Sequence, residues 1–63
     1  MYQVYLMEFP YRREHKQVIV VFDEFSQNRY MGSELVNDKS YICWMSAEHV
    51  EDMLAQRRAV RLI

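Results

Sequence analysis

The chain has 63 residues, 51% of them hydrophobic, and its eight Lys and Arg against nine Asp and Glu leave a net charge of −1. That balance excludes a global field drawing the protein to nucleic acid or to a membrane surface, and no apolar run approaches the ~20 residues that span a bilayer. A lone cysteine, Cys43, excludes an intrachain disulfide.

Tyr2 to Phe9 is expected to be the first strand, ended by Pro10, which cannot donate to a ladder. Successive strand residues point to opposite faces, so Tyr2, Val4 and Leu6 oppose Tyr5, Met7 and Phe9. Both sets are apolar. Tyr11-Arg12-Arg13-Glu14-His15-Lys16 is a polar connection, and Gln17 to Phe22, extending toward Phe25, forms a second strand. Here Val18, Val20 and Phe22 share one face while Ile19 and Val21 share the other. Two strands joined by a short polar loop form an antiparallel hairpin.

Ser26-Gln27-Asn28 and Asn37-Asp38-Lys39 are turn-forming clusters. Between them, Arg29 to Val36 is read as a weak strand bent at Gly32, the only glycine. A loop with one helical turn at Ser33-Glu34-Leu35 is the alternative. Tyr41 to Met45 is a strand by its aromatic and β-branched content. Ser46 is placed as an N-cap for a helix over 47–57, whose apolar stripe is Ala47, Val50, Met53 and Leu54. Glu48, Glu51 and Asp52 early, with Arg57 and Arg58 late, suit the helix dipole. Val60 to Ile63 closes the chain as a short strand.

The expectation is a single α+β domain over residues 1–63: a small antiparallel sheet of three to five strands with one helix packed on one face, in the order β-β-(β)-β-α-β. A domain this small buries only about 60% of its unfolded surface, and a core below ~70–80 residues rarely supplies more than ~3–5 kcal/mol. A sheet that is apolar on both faces needs cover on both, and one helix covers one. The other face therefore calls for a partner, either a second copy or a different protein. Five Tyr and five Met suit such a surface, because these types are enriched or adaptable at interface cores. The N-terminus lacks the basic and apolar regions of a signal peptide, and a single thiol suits a reducing cytoplasm. Met1 at the start and an apolar run at the end read as a complete small gene product.

Reactive chemistry is sparse. Cys43 and His49 are the one thiol–imidazole pair, but no glycine-rich segment supplies an oxyanion hole, and a structural cysteine is the simpler reading. Cys43, His15 and His49 lack the paired spacings of zinc sites. Glu48 and Asp52 at i, i+4 are explained as solvated, dipole-stabilising carboxylates. No catalytic residue, metal or cofactor is expected, and one glycine cannot build a phosphate-cradling loop.

The candidate partner-binding residues are of two kinds. Tyr11, Arg12, Arg13 and Lys16 combine an aromatic with cations at a hairpin tip; Tyr30, Tyr41 and Trp44 are large aromatics of the type that anchors interfaces. The loop at 11–16 could instead contact phosphates while Tyr11 stacks a base, although Glu14 and the neutral net charge weigh against nucleic acid. A solvated tip guarding a sheet edge is the plainest reading of that loop.

The chain is thus expected to be non-catalytic, a small protein-binding module that inhibits or modulates a larger protein or complex. In size and economy it resembles the accessory inhibitors that phages and mobile elements encode against host enzymes or defence complexes, acting in the bacterial cytoplasm. No motif carries that likeness to a family. The rival readings are a nucleic-acid-binding module using residues 11–16, and a structural homo-oligomer or small subunit.

Overall fold

Alternation and turn chemistry together produce five strands and one helix. The computed structural model describes residues 1–63, with β1 Gln3–Glu8, β2 Gln17–Ser26, β3 Arg29–Val36, β4 Lys39–Ser46, α1 Ala47–Ala55 and β5 Ala59–Arg61. The strands form one antiparallel sheet in the order β4-β3-β2-β1-β5. The small α+β architecture and the order of its elements along the chain match the sequence-based expectation.

Two tight turns set the register. Gln27 and Asn28 have φ of 55° and 60°, and Asn37 and Asp38 have φ of 49° and 65°. Left-handed conformation at both central residues defines the type I′ hairpin, whose twist matches that of the flanking strands. Asn and Asp tolerate this region better than other non-glycine residues, and they supply Asn28, Asn37 and Asp38; Gln27 adopts it without that advantage. The segment Arg29–Val36 is accordingly a full eight-residue strand and not a loop with a helical turn.

Gly32 has a different task from the bend expected of it. The register shift lies on β2, between Phe22 and Glu24, and Gly32 sits opposite Phe22. A Cβ at Gly32 would fall 1.8 Å from the Val21 carbonyl oxygen. The bulge brings the two backbones too close for any side chain, and glycine is the residue that permits it.

The core lies on one side of the sheet. Tyr5, Met7, Val18, Val20 and Phe22 point toward α1, and Val50 and Met53 point back at them. Phe9 and Ala59 fill the margins, both nearly inaccessible. Tyr5 meets Phe22 edge-on at 5.7 Å between ring centroids, a favoured aromatic geometry.

The helix is well defined at both ends. Ser46 is the N-cap, its Oγ accepting from the His49 backbone N–H at 3.0 Å. At the other end the Arg57 N–H donates to Leu54 O at 3.1 Å and the Arg58 N–H to Met53 O at 2.8 Å, with Arg57 at φ 59°. That pair of bonds is a Schellman motif.

Two expectations about the helix are corrected. It ends at Ala55, so Arg57 and Arg58 lie beyond its last turn and stop it instead of complementing its dipole. Leu54 does not dock: it is 40% exposed, and the buried contacts are Val50 and Met53. At 100° per residue Leu54 lies 100° from Met53, with Val50 between them, which lifts it off the sheet.

The helix begins at the end of β4, one edge of the sheet, and its chain re-enters as β5 at the opposite edge. The Glu8 N–H donates to Arg58 O at 2.7 Å, and Leu62 and Ile63 exchange backbone bonds with Val4. These bonds fasten the C-terminal segment along β1.

Candidate interaction surface

Period-2 alternation leaves the second face of the sheet uncovered. Register places Val60, Leu6, Ile19, Leu35 and Ser40 in one row across all five strands. The adjoining row is Val4, Val21, Ser33 and Ile42, and Met31 pairs with Trp44 beyond it. Neither row contains a charge. Leu35 is 46% exposed, Val60 54%, Trp44 60% and Ile42 94%.

Polar groups mark the rim of this face. Arg29 stacks over Trp44, its guanidinium carbon 5.1 Å from the ring centroid. Glu24 lies opposite Met31, and Glu8 accepts from Gln17 at 3.4 Å at the far end of the β1–β2 hairpin. An apolar centre with a polar rim is the usual anatomy of a protein interface. Contiguous apolar patches of this kind are rare on monomers that work alone.

The basic loop at 11–16 serves the covered side. Phe9 N–H donates to Lys16 O at 2.6 Å, pinching the loop at its base. Arg12 then reaches back across 22 residues to Glu34 on β3, making two parallel bonds at 2.8 and 2.9 Å, while its guanidinium lies 4.0 Å above the Phe9 ring. Tyr11 meets Phe9 edge-on but is 77% exposed. Arg13 and Lys16 are solvated. Of the four loop residues singled out from sequence, Arg12 is thus occupied within the fold, Tyr11 rests by one edge on Phe9, and Arg13 and Lys16 stand free.

The aromatic trio does not assemble. Tyr30 is half-buried on the helix side, where it stacks on Phe22 at 5.3 Å and on Phe25 at 4.6 Å. Tyr41 also faces the helix side, opposite Glu34, and Trp44 alone joins the open face. Tyr41 and Trp44 are three positions apart on one strand, an odd offset, so alternation puts them on opposite sides. The same counting would have found Ile42, the most exposed large hydrophobic residue of β4, which the sequence reading did not single out.

Electrostatics argue against a reactive centre near Cys43. The thiol is half-buried on the helix side, and burial raises its pKa, with a further rise from the Glu34 carboxylate. Nucleophilic cysteines need the opposite shift. His49 lines the same groove but makes no hydrogen bond to the thiol. Arg12 holds the Glu34 carboxyl below its ordinary value, chiefly through their hydrogen bonds and against the effect of burial. Burial likewise raises the Tyr5 phenol, which donates to Gln3 Oε1 at 2.9 Å. No group of three or more His, Cys, Asp and Glu side chains converges to hold a metal, and no helix is long and apolar enough to cross a membrane.

Comparison with protein-family models, with curated proteins and with solved structures gives no match in any of the three.

Proposed function

We propose that this protein is a non-catalytic binding module that acts by seating the open face of its sheet on a larger protein, thereby inhibiting or modulating it. One observation carries the reading: the rows through Ile19 and Val21 are uncharged and, Ser33 and Ser40 apart, apolar, and no element of the chain covers them. Leaving such surface in water costs about 25 cal/mol per Å² relative to burial, and Leu35, Ile42, Trp44 and Val60 are all exposed on this face. Burial shifts the Cys43 thiol away from the thiolate that a nucleophile needs. The accessory-inhibitor form of the proposal, with a phage or mobile element as source and the bacterial cytoplasm as location, follows from size and economy alone.

Occupation of Arg12 by Glu34 shifts the expected grip from the loop to the face. It also removes the strongest phosphate-binding candidate from the loop, which disfavours the nucleic-acid reading. The test compares tagged wild-type protein with two variants for capture from bacterial lysate, followed by titration of the purified pair. Leu35→Glu puts a charge in the middle of the open face; Arg13→Glu with Lys16→Glu reverses the free loop cations and leaves Arg12 intact. The expected result is at least a tenfold loss of affinity for Leu35→Glu, little change for the loop variant, and modest salt dependence. Loss confined to the loop variant, with affinity falling steeply as salt rises, would transfer the function to residues 11–16. A wild-type protein that retains no partner would overturn the proposal.

A further inference from the structure

The two edges of the sheet are treated unequally. β5 is only three residues long, Arg61 lies on it, and its Nε bonds back to the Ile63 carbonyl at 3.1 Å. These are the usual protections of an edge: short length and charge. β4 has eight residues, no proline, and no bulge against β3. The helix that follows it leaves across the sheet toward β5, so nothing lies along its outer side. From Ser40 to Ala47 the chain carries no charge.

The free backbone groups of this edge can be assigned. The two-residue turn at Asn37-Asp38 closes on the pair Val36 and Lys39, which in such a hairpin exchanges both hydrogen bonds. Lys39, Tyr41, Cys43 and Met45 therefore aim N–H and C=O at β3. Donation from the Ala47 N–H to Asn28 O at 2.9 Å keeps the same parity. Ser40, Ile42, Trp44 and the Ser46 N–H aim outward, where no strand receives them.

We propose that β4 pairs antiparallel with β4 of a second copy, joining two sheets into one of ten strands. Directly opposed residues must share a face, which limits the possible registers. The register that engages all four outward residues sets Ser40 against Ser46 and Ile42 against Trp44, with Cys43 facing its own counterpart across the two-fold axis. Ile42 and Trp44 then form two cross-strand pairs of β-branched and aromatic side chains on the open face, a favoured combination. The neutral strand meets its copy without like charges in contact. Because the axis is perpendicular to the sheet, both helices fall on one side and both open faces on the other. The result is a single apolar surface twice as wide. This assembly does not depend on what that surface binds.

Light scattering on the eluting protein tests the pairing, at concentrations on the order of 100 µM because one strand pair makes an interface of the small, weak class. The expected mass is twice 7.8 kDa, falling to 7.8 kDa on dilution. Ile42→Pro removes an N–H that no intrachain partner uses, and Ile42→Lys adds a charge to a side chain that is 94% exposed. Both variants should keep the circular dichroism of the fold and remain at 7.8 kDa. Copper-phenanthroline with dissolved oxygen should cross-link wild type through Cys43, since a non-hydrogen-bonded antiparallel pair holds its Cα atoms about 4.5 Å apart. The Ile42 variants and Cys43→Ser should not cross-link. Wild type that stays monomeric, or Ile42 variants that dimerise as wild type does, would overturn the proposal; a dimer that resists cross-linking would overturn this register. Leu35→Glu should still dimerise, which separates failure of the edge from failure of the face.

Discussion

The two faces of the sheet are built from the same alphabet and come to opposite ends. On one, Tyr5, Met7, Val20 and Phe22 are nearly inaccessible beneath Val50 and Met53. On the other, Leu6, Leu35, Ile42 and Val60 are equally apolar and reach solvent. Hydrophobicity does not distinguish the faces; the second layer does. A helix of nine residues and a loop held down by Arg12 cover the centre of one side of a five-stranded sheet, leaving Phe25 and Tyr41 exposed at its margin. The comparison teaches that a chain this short can have an interior and an interaction surface that look alike in composition.

The sharpest way to break that comparison is to truncate one residue on each face. Phe9→Ala should cost about 3–5 kcal/mol, which is all the stability expected of such a core. Its circular dichroism should be that of an unfolded chain at room temperature. Leu35→Ala should shift stability by no more than about 0.5 kcal/mol, as surface substitutions do. Equal effects in denaturant titrations would mean that the two faces are not different in kind.

A smaller effect sharpens the account of how the covered face is closed. The Arg12–Glu34 pair is bidentate with side chains 30% and 14% exposed, so Arg12→Ala should cost about 1–2 kcal/mol, the range of a charge-assisted hydrogen bond moderated by solvent. The bond also sets a pH dependence. Because the folded Glu34 has a lowered pKa, the folded state binds its proton less readily than the unfolded chain. The contribution is therefore complete above the ordinary carboxylate range and disappears as pH falls through the folded value. Acid unfolding followed by tryptophan fluorescence should be shallower in Glu34→Gln than in wild type. An unchanged acid limb would show that the pair does not fasten the loop.

The smallest change concerns the helix stop. Arg57 holds a left-handed conformation that glycine adopts at no steric cost. Arg57→Gly should raise stability by roughly 0.5–1 kcal/mol, seen as a higher melting temperature. A lower melting temperature would mean that the Arg57 side chain contributes contacts that outweigh its backbone strain.

Much of the architecture was legible because it depends on local signals. Alternation in Tyr5-Leu6-Met7 and Val18-Ile19-Val20-Val21-Phe22 identified both faces and showed that one would lack cover. Asn37-Asp38 announced a turn, and Ser46 announced the helix. What escaped the sequence depends on paths through space. The Arg12–Glu34 bond joins residues 22 apart, and nothing local to either signals the other. The bulge at Phe22/Glu24 is visible only once β3 is in register, so the bend was assigned to Gly32, which answers the bulge from the neighbouring strand. Leu54 lies close enough to the apolar stripe to be counted with it, and its place 100° round the helix from Met53 lifts it off the sheet. The candidate surface was half visible: Ile19 and Val21 were recognised, whereas Tyr30 and Tyr41 were grouped with Trp44 although the register sets them on the other side.

The route of the chain has a consequence for the order in which it folds. Strands β1 to β4 are joined by adjacent hairpins and need only contacts close in sequence, the kind that form quickly. Their sheet, however, is apolar on both sides until residues 47–63 arrive to cover one of them. A folding chain whose C-terminal segment has not yet docked is therefore a four-stranded meander without Val50, Met53 or Ala59 packed on it. Mutations that delay docking of the C-terminal segment should reduce the yield of soluble protein even where the finished fold is as stable as wild type, because exposed sheet in an incompletely folded chain is prone to aggregate.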